Sequence, residues 1–327
     1  MAEGHVLNIN LELTTYCPLR CPQCYCSLNA GHYMDLETAK KWIIEANKNG
    51  ITDIMLSGGE TIAYPYLDEV ISFSKENGLV THAAFSGWNL TKERCQRLIC
   101  DGLDNIYISL NGSTEQVNRE SRDGYQLAID SLSQLREIEF SNTYINWVFH
   151  SSNSDDFENM VSLAETYKVR ALVIIGFKPD SRAQMPSVPN FEQMKKVVNY
   201  MKRYKGNVEI LIEKCYSPLR ALRCDTWLGN FNTGKYRGCE AGLGSISVNV
   251  DGTLSPCRHI NAHEKYASFA DYYRHSPLIQ QLRALDETKA EEKCSSCKYM
   301  MNCKPCMAIN TEMFHRIFWG YPTCPVP

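Results

Sequence analysis

The sequence lacks the features that mark nucleic-acid-binding, secreted and membrane-spanning proteins. No run of five or six Lys or Arg residues occurs, and the net charge is only -3, so no electrostatic footprint for nucleic acid or an anionic membrane stands out. Residues 1–5 lack the basic and apolar regions of a signal peptide, and apolar runs such as 171–175 are too short to cross a bilayer. These absences predict a cytoplasmic protein that binds neither nucleic acid nor a membrane.

Cysteine, in contrast, is abundant. The chain has 15 Cys in 327 residues. Thiols in the cytoplasm are kept reduced, and the number is odd, so a disulfide framework is not expected. The histidines show no pairing pattern. Ligation of iron-sulfur clusters or zinc explains the cysteines better.

Strand-like and helix-like stretches alternate from residue 6 to about residue 215. Continuous apolar runs such as 171–175 are typical of parallel strands covered on both faces, and the alternation indicates an α/β fold. Six βα units and a seventh strand predict a partial (β/α)6 TIM-like barrel over residues 1–214, with its chemistry at the C-terminal ends of the strands. The predicted strands are 6–13, 51–56, 79–85, 105–110, 143–150, 171–177 and 208–214, and the helices are 36–49, 66–77, 91–100, 125–138, 155–167 and 191–204.

The pattern changes in residues 215–327, which hold nine of the 15 cysteines. This region is predicted to form a small Cys-rich domain that begins with a β-hairpin, residues 246–250 and 253–254. An Asp251-Gly252 turn of type I′ would connect its strands. A polar helix is predicted over residues 276–289.

Three cysteines with the spacing C-x3-C-x2-C follow the first predicted strand: Cys17, Cys21 and Cys24. Thiols this close in sequence do not easily bridge one another, but they can converge on an iron-sulfur cube and leave its fourth iron free. Zinc prefers four closed ligands, so the cluster is the better interpretation. A Gly58-Gly59-Glu60 segment follows the second predicted strand, and its glycines allow the backbone to approach a ligand closely.

Together these two segments resemble the radical S-adenosylmethionine (radical SAM) enzymes. The resemblance implies that Cys17, Cys21 and Cys24 hold a 4Fe-4S cluster, whose free iron binds SAM, and that Glu60 neutralises the SAM ammonium group. Reductive cleavage of SAM then gives a 5′-deoxyadenosyl radical that abstracts hydrogen from the substrate. Two positions differ from the usual pattern, with Gln23 where many members have an aromatic residue and Thr61 where proline is usual. The SAM contacts implied by the resemblance are Tyr25, Gly58, Gly59, Glu60, Ser109, Asn111 and Arg122.

The C-terminal region resembles the SPASM domain of peptide-modifying radical SAM enzymes. The SPASM pattern has a Cys, a Gly and a second Cys, followed by a CxxC-rich run and a last Cys. Here Gly252 lies between Cys239 and Cys257. One spacing departs from the pattern, with two residues rather than three between Cys303 and Cys306. A zinc ribbon is the alternative, but five residues between its knuckles would be short. The resemblance implies two auxiliary 4Fe-4S clusters, one held by Cys294, Cys297, Cys303 and Cys324 and the other by Cys239, Cys257 and Cys306.

Five further cysteines have no place in these patterns. Cys26, Cys95 and Cys100 are interpreted as small buried hydrophobic residues. Cys215 and Cys224 lie between the barrel and the hairpin and are the candidate catalytic cysteines. Each is a candidate hydrogen donor, an extra cluster ligand or a core residue.

The combined resemblance implies an enzyme that acts on a ribosomally made precursor peptide and installs a thioether or carbon-carbon crosslink. Peptide epimerisation, dehydrogenation of a protein side chain or small molecule, and non-catalytic electron transfer are the alternatives. A protein such as flavodoxin or ferredoxin would supply electrons. The first strand begins near residue 6, which predicts that a leader peptide is captured by a separate binding protein or directly by the enzyme.

The ligand count at one auxiliary cluster bears on the product. No cysteine occurs between Glu240 and Pro256, so Cys239, Cys257 and Cys306 leave one iron without an obvious partner. An open iron would bind a substrate thiolate and favour thioether formation. The rival hypothesis is that Cys224, or with less support Cys215, supplies the fourth ligand.

Overall fold

One sheet of nine strands runs through the computed structural model, which describes residues 8–26, 31–223, 238–300, 303–320 and 324. The sheet order is β7-β6-β5-β4-β3-β2-β1-β8-β9, and all neighbouring strands from β7 to β8 are parallel. The strands are β1 Asn8–Thr14, β2 Asp53–Gly58, β3 Val80–Phe85, β4 Asn105–Ser109, β5 Thr143–Phe149, β6 Ala171–Gly176, β7 Glu209–Ile212, β8 Ser245–Val248 and β9 Leu254–Ser255.

Six helices of the barrel follow six of its strands in the predicted order. They are α1 Leu36–Lys48, α2 Leu67–Glu76, α3 Lys92–Cys100, α5 Tyr125–Glu137, α6 Phe157–Thr166 and α7 Phe191–Arg203, with the short α4 Glu115–Arg119 preceding α5. The C-terminal region adds α8 Ser217–Arg223, α9 Phe269–His275, α10 Pro277–Arg283, α11 Glu292–Ser295 and α12 Met307–Phe314. The predicted α/β partial barrel is therefore confirmed.

The first βα unit shows how the sequence produces these elements. Leu11 of β1 lies opposite Leu56 of β2, and both side chains are fully buried. Helix α1 begins after Asp35, whose carboxylate accepts a hydrogen bond from the Thr38 backbone N–H, as an N-cap residue does. The apolar face of the helix, which includes Trp42, is buried in the same hydrophobic core as the side chains of β1 and β2.

The C-terminal region continues the barrel sheet. Strand β8 pairs in parallel with β1, so the edge of β1 that the barrel strands leave free is covered. The region also packs on the barrel exterior, where the ring of Phe269 lies 4.8 Å from that of Trp42. The division into residues 1–214 and 215–327 stays a prediction, since the two parts share one sheet.

Two predicted details of this region are wrong. Strands β8 and β9 are joined by residues 249–253, and only Gly252 among them has a positive φ, so the connection is a five-residue loop and not a type I′ turn. The predicted helix 276–289 is shorter. The Ser276 hydroxyl caps α10, Pro277 occupies its first turn, and α10 ends at Arg283.

Among the described residues, no helix has both the length and the apolar character needed to cross a membrane.

A buried ion pair joins the C-terminal region to the first barrel strand. An Nη2 atom of Arg258 lies 2.9 Å from Oε1 of Glu12, and the two side chains are 11% and 10% exposed. The other Glu12 oxygen accepts a hydrogen bond of 3.1 Å from the Val250 backbone N–H. Because water is largely excluded, either charge alone would be costly in this position.

We expect Arg258→Met to destabilise the protein by ~3–5 kcal/mol, because it leaves Glu12 buried without its partner. Lys92→Met is the matched control, since the Lys92 pair with Glu137 is 43% and 61% exposed and contributes about 1 kcal/mol or less. The measurement is the midpoint of urea unfolding of the cluster-loaded protein. The double variant Glu12→Met, Arg258→Met should recover most of the lost stability. If Arg258→Met and Lys92→Met lowered the midpoint equally, the buried ion pair would not have the assigned role.

Candidate functional site

An open pocket with a volume of about 250 Å³ lies at the C-terminal ends of strands β1 to β7. Ten residues predicted from the sequence to bind the cluster or SAM line it, so the fold brings them together. They are Cys17, Cys21, Cys24, Tyr25, Gly58, Gly59, Glu60, Ser109, Asn111 and Arg122.

The loop with the three cysteines leaves the end of β1 and is held by the segment that follows α4. The backbone N–H of Arg20 donates to an Asp123 carboxylate oxygen at 2.7 Å, and that of Gln23 donates to the Ser121 carbonyl at 3.3 Å. Burial, together with the neighbouring charges of Glu60, Cys21 and Cys24, raises the pKa of Cys17 to about 11. Three thiolates here repel one another, so the loop suits a cationic iron core between them.

Gly58 and Gly59 let two backbone segments touch. The Gly59 N–H donates to the Thr14 carbonyl at 2.6 Å, and the Glu60 N–H donates to the Tyr16 carbonyl at 2.7 Å. A Cβ atom on Gly59 would lie 2.3 Å from the Tyr16 oxygen, and one on Gly58 would lie 2.5 Å from the Thr14 oxygen. Only glycine fits at these two positions.

Glu60 carries a buried carboxylate into the pocket. Its Oε2 atom accepts a hydrogen bond of 3.1 Å from the Ser86 N–H, while its Oε1 atom is buried with no hydrogen-bond partner among the residues that the structure describes. Burial raises the pKa of Glu60 despite the hydrogen bonds to Ser86 and the charge of Arg122. A cationic ligand would satisfy this free oxygen.

Ser109 and Arg122 lie together across the pocket. Strand β4 ends at Ser109, and the Nε atom of Arg122 donates to the Ser109 carbonyl at 3.0 Å. This hydrogen bond fixes the guanidinium group beside the ends of the strands. The remaining guanidinium N–H groups can serve an anionic group in the pocket.

Asn111 organises the pocket wall from within. Its Nδ2 donates to the Ser121 hydroxyl at 2.9 Å, and its Oδ1 accepts from the Val148 N–H at 3.0 Å. Its carbonyl accepts from the Trp147 indole at 3.0 Å. The residue is 1% exposed. Asn111 therefore joins the loop after β4 to β5, and its side chain already has partners within the protein.

Tyr25 lies beside two residues of the C-terminal region that sequence reasoning missed. Its ring centroid is 3.9 Å from that of His259, and the Arg258 guanidinium lies 5.6 Å from its centre. Arg258 also donates to the Gly58 carbonyl at 3.4 Å. The only sequence signal for these contacts is their position directly after Cys257, which does not indicate where the side chains go.

The three cysteines interpreted as buried hydrophobic residues differ from one another. Cys95 is fully buried, as predicted, but Cys100 is exposed at the end of α3. Cys26 lines the pocket, where its hydrogen bond to Cys24 lowers the pKa of the Cys24 thiol to about 6. Arg258 also donates to Cys26 Sγ at 3.5 Å. The buried-core interpretation is therefore correct for Cys95 alone.

Four cysteines of the C-terminal region surround a second cavity of about 40 Å³. Burial raises the pKa of Cys303, and the three other thiols raise it further. This is the set predicted for one auxiliary cluster, Cys294, Cys297, Cys303 and Cys324.

The other predicted set, Cys239, Cys257 and Cys306, also comes together. A hydrogen bond from Cys306 lowers the pKa of Cys239 to about 6, and burial, followed by the charge of Cys239, raises that of Cys257 to about 12. Cys215 lies beside Cys306, and both line one small cavity. Cys224 lies outside the described residues. Within the described part of the chain, no three His, Cys, Asp or Glu side chains converge as ligands of a single metal ion.

The half of the pocket formed by β5 to β7 contains none of the predicted SAM contacts, although Asn111 borders it through its hydrogen bond with Val148. Val148, Ile175 and Phe177 give it an apolar wall. A buried ion pair lines this half, where Lys178 Nζ is 2.8 Å from a Glu213 oxygen and the lysine side chain is 9% exposed. The sequence did not predict this pair, because Lys178 follows β6 and Glu213 follows β7, 35 residues further along the chain.

Comparison with known proteins agrees with this geometry. Residues 11–164 match the family model of the radical SAM superfamily. The chain is similar to the PqqA peptide cyclase of Ruegeria pomeroyi, with 30% identity over 264 residues, 75% of this chain and 66% of that protein. It is also similar to the PqqA peptide cyclase of Bradyrhizobium diazoefficiens, with 26% identity over 90% of this chain and 80% of that protein. The chain thus spans just under two thirds of the length of the first of these relatives.

The fold is similar to that of Streptococcus suis SuiB. The structure of SuiB bound to S-adenosylmethionine superposes with a TM-score of 0.78 at 18% identity and covers 99% of this chain and 78% of SuiB. SuiB bound to its precursor peptide SuiA gives a TM-score of 0.79 at 16% identity, over 99% of this chain and 76% of SuiB.

The site and the family match together define the class of protein. Residues 11–164 form a radical SAM domain, the class of domain that uses S-adenosylmethionine and a 4Fe-4S cluster. The pocket fits both groups, because it combines three clustered thiols with an unpartnered carboxylate oxygen of Glu60 and a glycine pair.

We expect Gly59→Ala to weaken SAM binding about tenfold or more, because its Cβ would displace the cysteine loop and overpacking costs ~1–3 kcal/mol. Gly31→Ala is the matched control, since a Cβ there meets the Tyr16 ring at an ordinary 3.4 Å. Equilibrium dialysis of SAM against the two reconstituted variants measures the difference. Equal affinities would show that the close contact is unimportant.

We expect Glu60→Gln to weaken SAM binding by about tenfold or more while it stabilises the protein without SAM, because a charge-assisted hydrogen bond contributes ~1.5–3 kcal/mol. The pKa of Glu60 is raised in the folded state, so the wild-type protein loses stability as the pH rises above 4.5 and Gln removes that loss. The melting temperature of the variant should therefore exceed that of the wild type more at pH 8 than at pH 5. Glu137→Gln, at an exposed position, should change neither quantity.

Proposed function

We propose that this chain is a radical SAM enzyme that modifies a ribosomally made peptide and installs a thioether or a carbon-carbon crosslink. The observation that carries the proposal is the continuity of one pocket, with SAM-type residues at the ends of β1 to β4 and an unassigned apolar half at the ends of β5 to β7. A substrate in the second half lies directly beside a ligand in the first.

In the SAM half, each residue has a defined task. Cys17, Cys21 and Cys24 hold the 4Fe-4S cluster, and the free Glu60 oxygen pairs with the SAM ammonium group. Arg122 binds the SAM carboxylate. Ser109 and Tyr25 contact the ribose and the adenine, and Asn111 keeps the wall in position through its own hydrogen bonds. When bound, the reduced cluster and SAM supply a 5′-deoxyadenosyl radical that removes a hydrogen atom from the substrate.

In the other half, the chain orients the substrate and limits water. Val148, Ile175 and Phe177 contact apolar parts of a peptide. The Lys178–Glu213 pair offers a buried cation and a partly exposed carboxylate for polar groups of the peptide.

The two groups of cysteines in residues 215–327 support a SPASM domain. One set surrounds a cavity of its own, and the other borders the small cavity at which Lys178 also lies. Auxiliary clusters held there would accept the second electron that is released when a substrate radical closes a crosslink. A flavodoxin or ferredoxin supplies the first electron, and a separate protein or the enzyme itself captures the leader.

The relatives support a peptide as the substrate class. Two of them are named as peptide cyclases, and SuiB has been solved with a precursor peptide. An electron carrier without catalysis would have no use for Glu60 or for the glycine pair.

We expect about twelve iron atoms per chain after anaerobic reconstitution, because three cubane clusters are proposed. Replacement of Cys17, Cys21 and Cys24 together by Ala should remove about four iron atoms and abolish release of 5′-deoxyadenosine. Cys100→Ala should change neither value, since that thiol is exposed at the end of α3 and belongs to none of the three sets. Continued SAM cleavage by the triple variant would contradict the cluster assignment.

The substrate is tested with short peptides encoded beside the gene. Incubation with enzyme, SAM and reductant should give a product that lacks two hydrogen atoms and shows a crosslink in its fragmentation spectrum. A product whose mass is unchanged in H2O, but about one mass unit higher when the reaction is run in D2O, would indicate epimerisation instead. Loss of two hydrogens without a crosslink would indicate dehydrogenation of a side chain.

A further inference from the structure

The cysteine set Cys239, Cys257 and Cys306 has a fourth neighbour in the described structure. Cys215 and Cys306 line the same small cavity, and the Cys306 thiol lies beside those of Cys215 and Cys239. The Cys257 thiol lies near those of Cys239 and Cys215. The four thiols thus form a closed group in which each has at least two others as neighbours.

Cys215 is fixed in this group by the residues on both sides of it. The Tyr216 N–H donates to the Glu213 carbonyl at 3.0 Å, and the buried Tyr216 ring packs against Gly176, where a Cβ would lie 2.6 Å from the ring. The Ser217 hydroxyl donates to the Lys304 carbonyl, two residues before Cys306. The turn after β7 is therefore tied to the segment that carries Cys306.

Backbone N–H groups donate hydrogen bonds to the sulfur atoms of Cys239 and Cys257. The Met307 N–H donates to Cys239 Sγ at 3.5 Å, and the His259 N–H donates to Cys257 Sγ at 3.5 Å. Backbone N–H groups that point at cysteine sulfur atoms are typical of iron-sulfur sites, because they stabilise thiolates.

The surroundings suit an anionic centre. The Lys178 ammonium is buried, borders the same small cavity as Cys215 and Cys306, and pairs with Glu213. A cubane with four thiolates carries net negative charge, and a buried cation beside it offsets part of that charge.

We propose that Cys215 is the fourth protein ligand of the auxiliary 4Fe-4S cluster held by Cys239, Cys257 and Cys306. This inference rests on the proposed function, which places a cluster at that site. With four protein ligands the cluster has no open iron for a substrate thiolate, so it serves as an electron relay. A substrate thiolate then has no iron to bind at this cluster, and a carbon-carbon crosslink is supported as well as a thioether.

The test uses the full chain in which Cys17, Cys21 and Cys24 are replaced by Ala, so that only the auxiliary clusters remain. A cubane with an open iron loses that iron on mild ferricyanide oxidation and gives a 3Fe-4S signal in electron paramagnetic resonance. We expect little of this signal from the parent and about one spin per chain after Cys215→Ala. Cys100→Ala is the negative control and Cys257→Ala the positive one.

A strong signal from the parent that Cys215→Ala leaves unchanged would overturn the proposal, as would a signal created by Cys224→Ala and not by Cys215→Ala. A parent that binds no iron at all would instead refute the auxiliary clusters of the proposed function. Differential alkylation of the same proteins provides a second readout. Cys215 should be protected in the loaded protein and modified in the iron-free protein, whereas Cys100 should be modified in both.

Discussion

The contact between the ends of β1 and β2 is the constraint on which the site depends. Gly58 and Gly59 bring their backbone against Thr14 and Tyr16 so closely that any side chain would collide. Two short backbone hydrogen bonds fix the approach. The same contact places the Glu60 carboxylate beside the cysteine loop, so the geometry of cluster and carboxylate is set by packing of two strand ends and does not require flexible side chains.

Three charged groups or pairs are buried in or near the pocket. Glu60 retains a carboxylate oxygen without a partner, whereas Arg258 with Glu12 and Lys178 with Glu213 form buried pairs. An unpaired buried charge lowers the stability of the empty protein, and the ligand that pairs with it regains that free energy on binding. The two ion pairs differ from Glu60, since in each of them the charges of two distant segments pair with each other.

The sheet connects the pocket to the cysteine-rich region. Strand β8 continues the sheet beside β1, and Arg258, which follows β9, reaches the Gly58 carbonyl in the pocket. Lys178 borders both the open pocket and the small cavity with Cys306. Electron transfer between a substrate radical and an auxiliary cluster, as we propose, would therefore cross only a thin layer of protein.

Local patterns were enough to predict much of this structure. The βα alternation, the Asp35 cap and the segments that end at the pocket depend on residues that are close together in the sequence. Such local features can therefore be predicted from the order of the residues alone. The internal partners of Asn111, the route of Arg258 and the place of Cys215 depend on segments far apart in the chain. A sequence shows which side chains can bind iron or donate hydrogen bonds, but their partners are decided only when the sheet closes, because packing brings remote residues within reach.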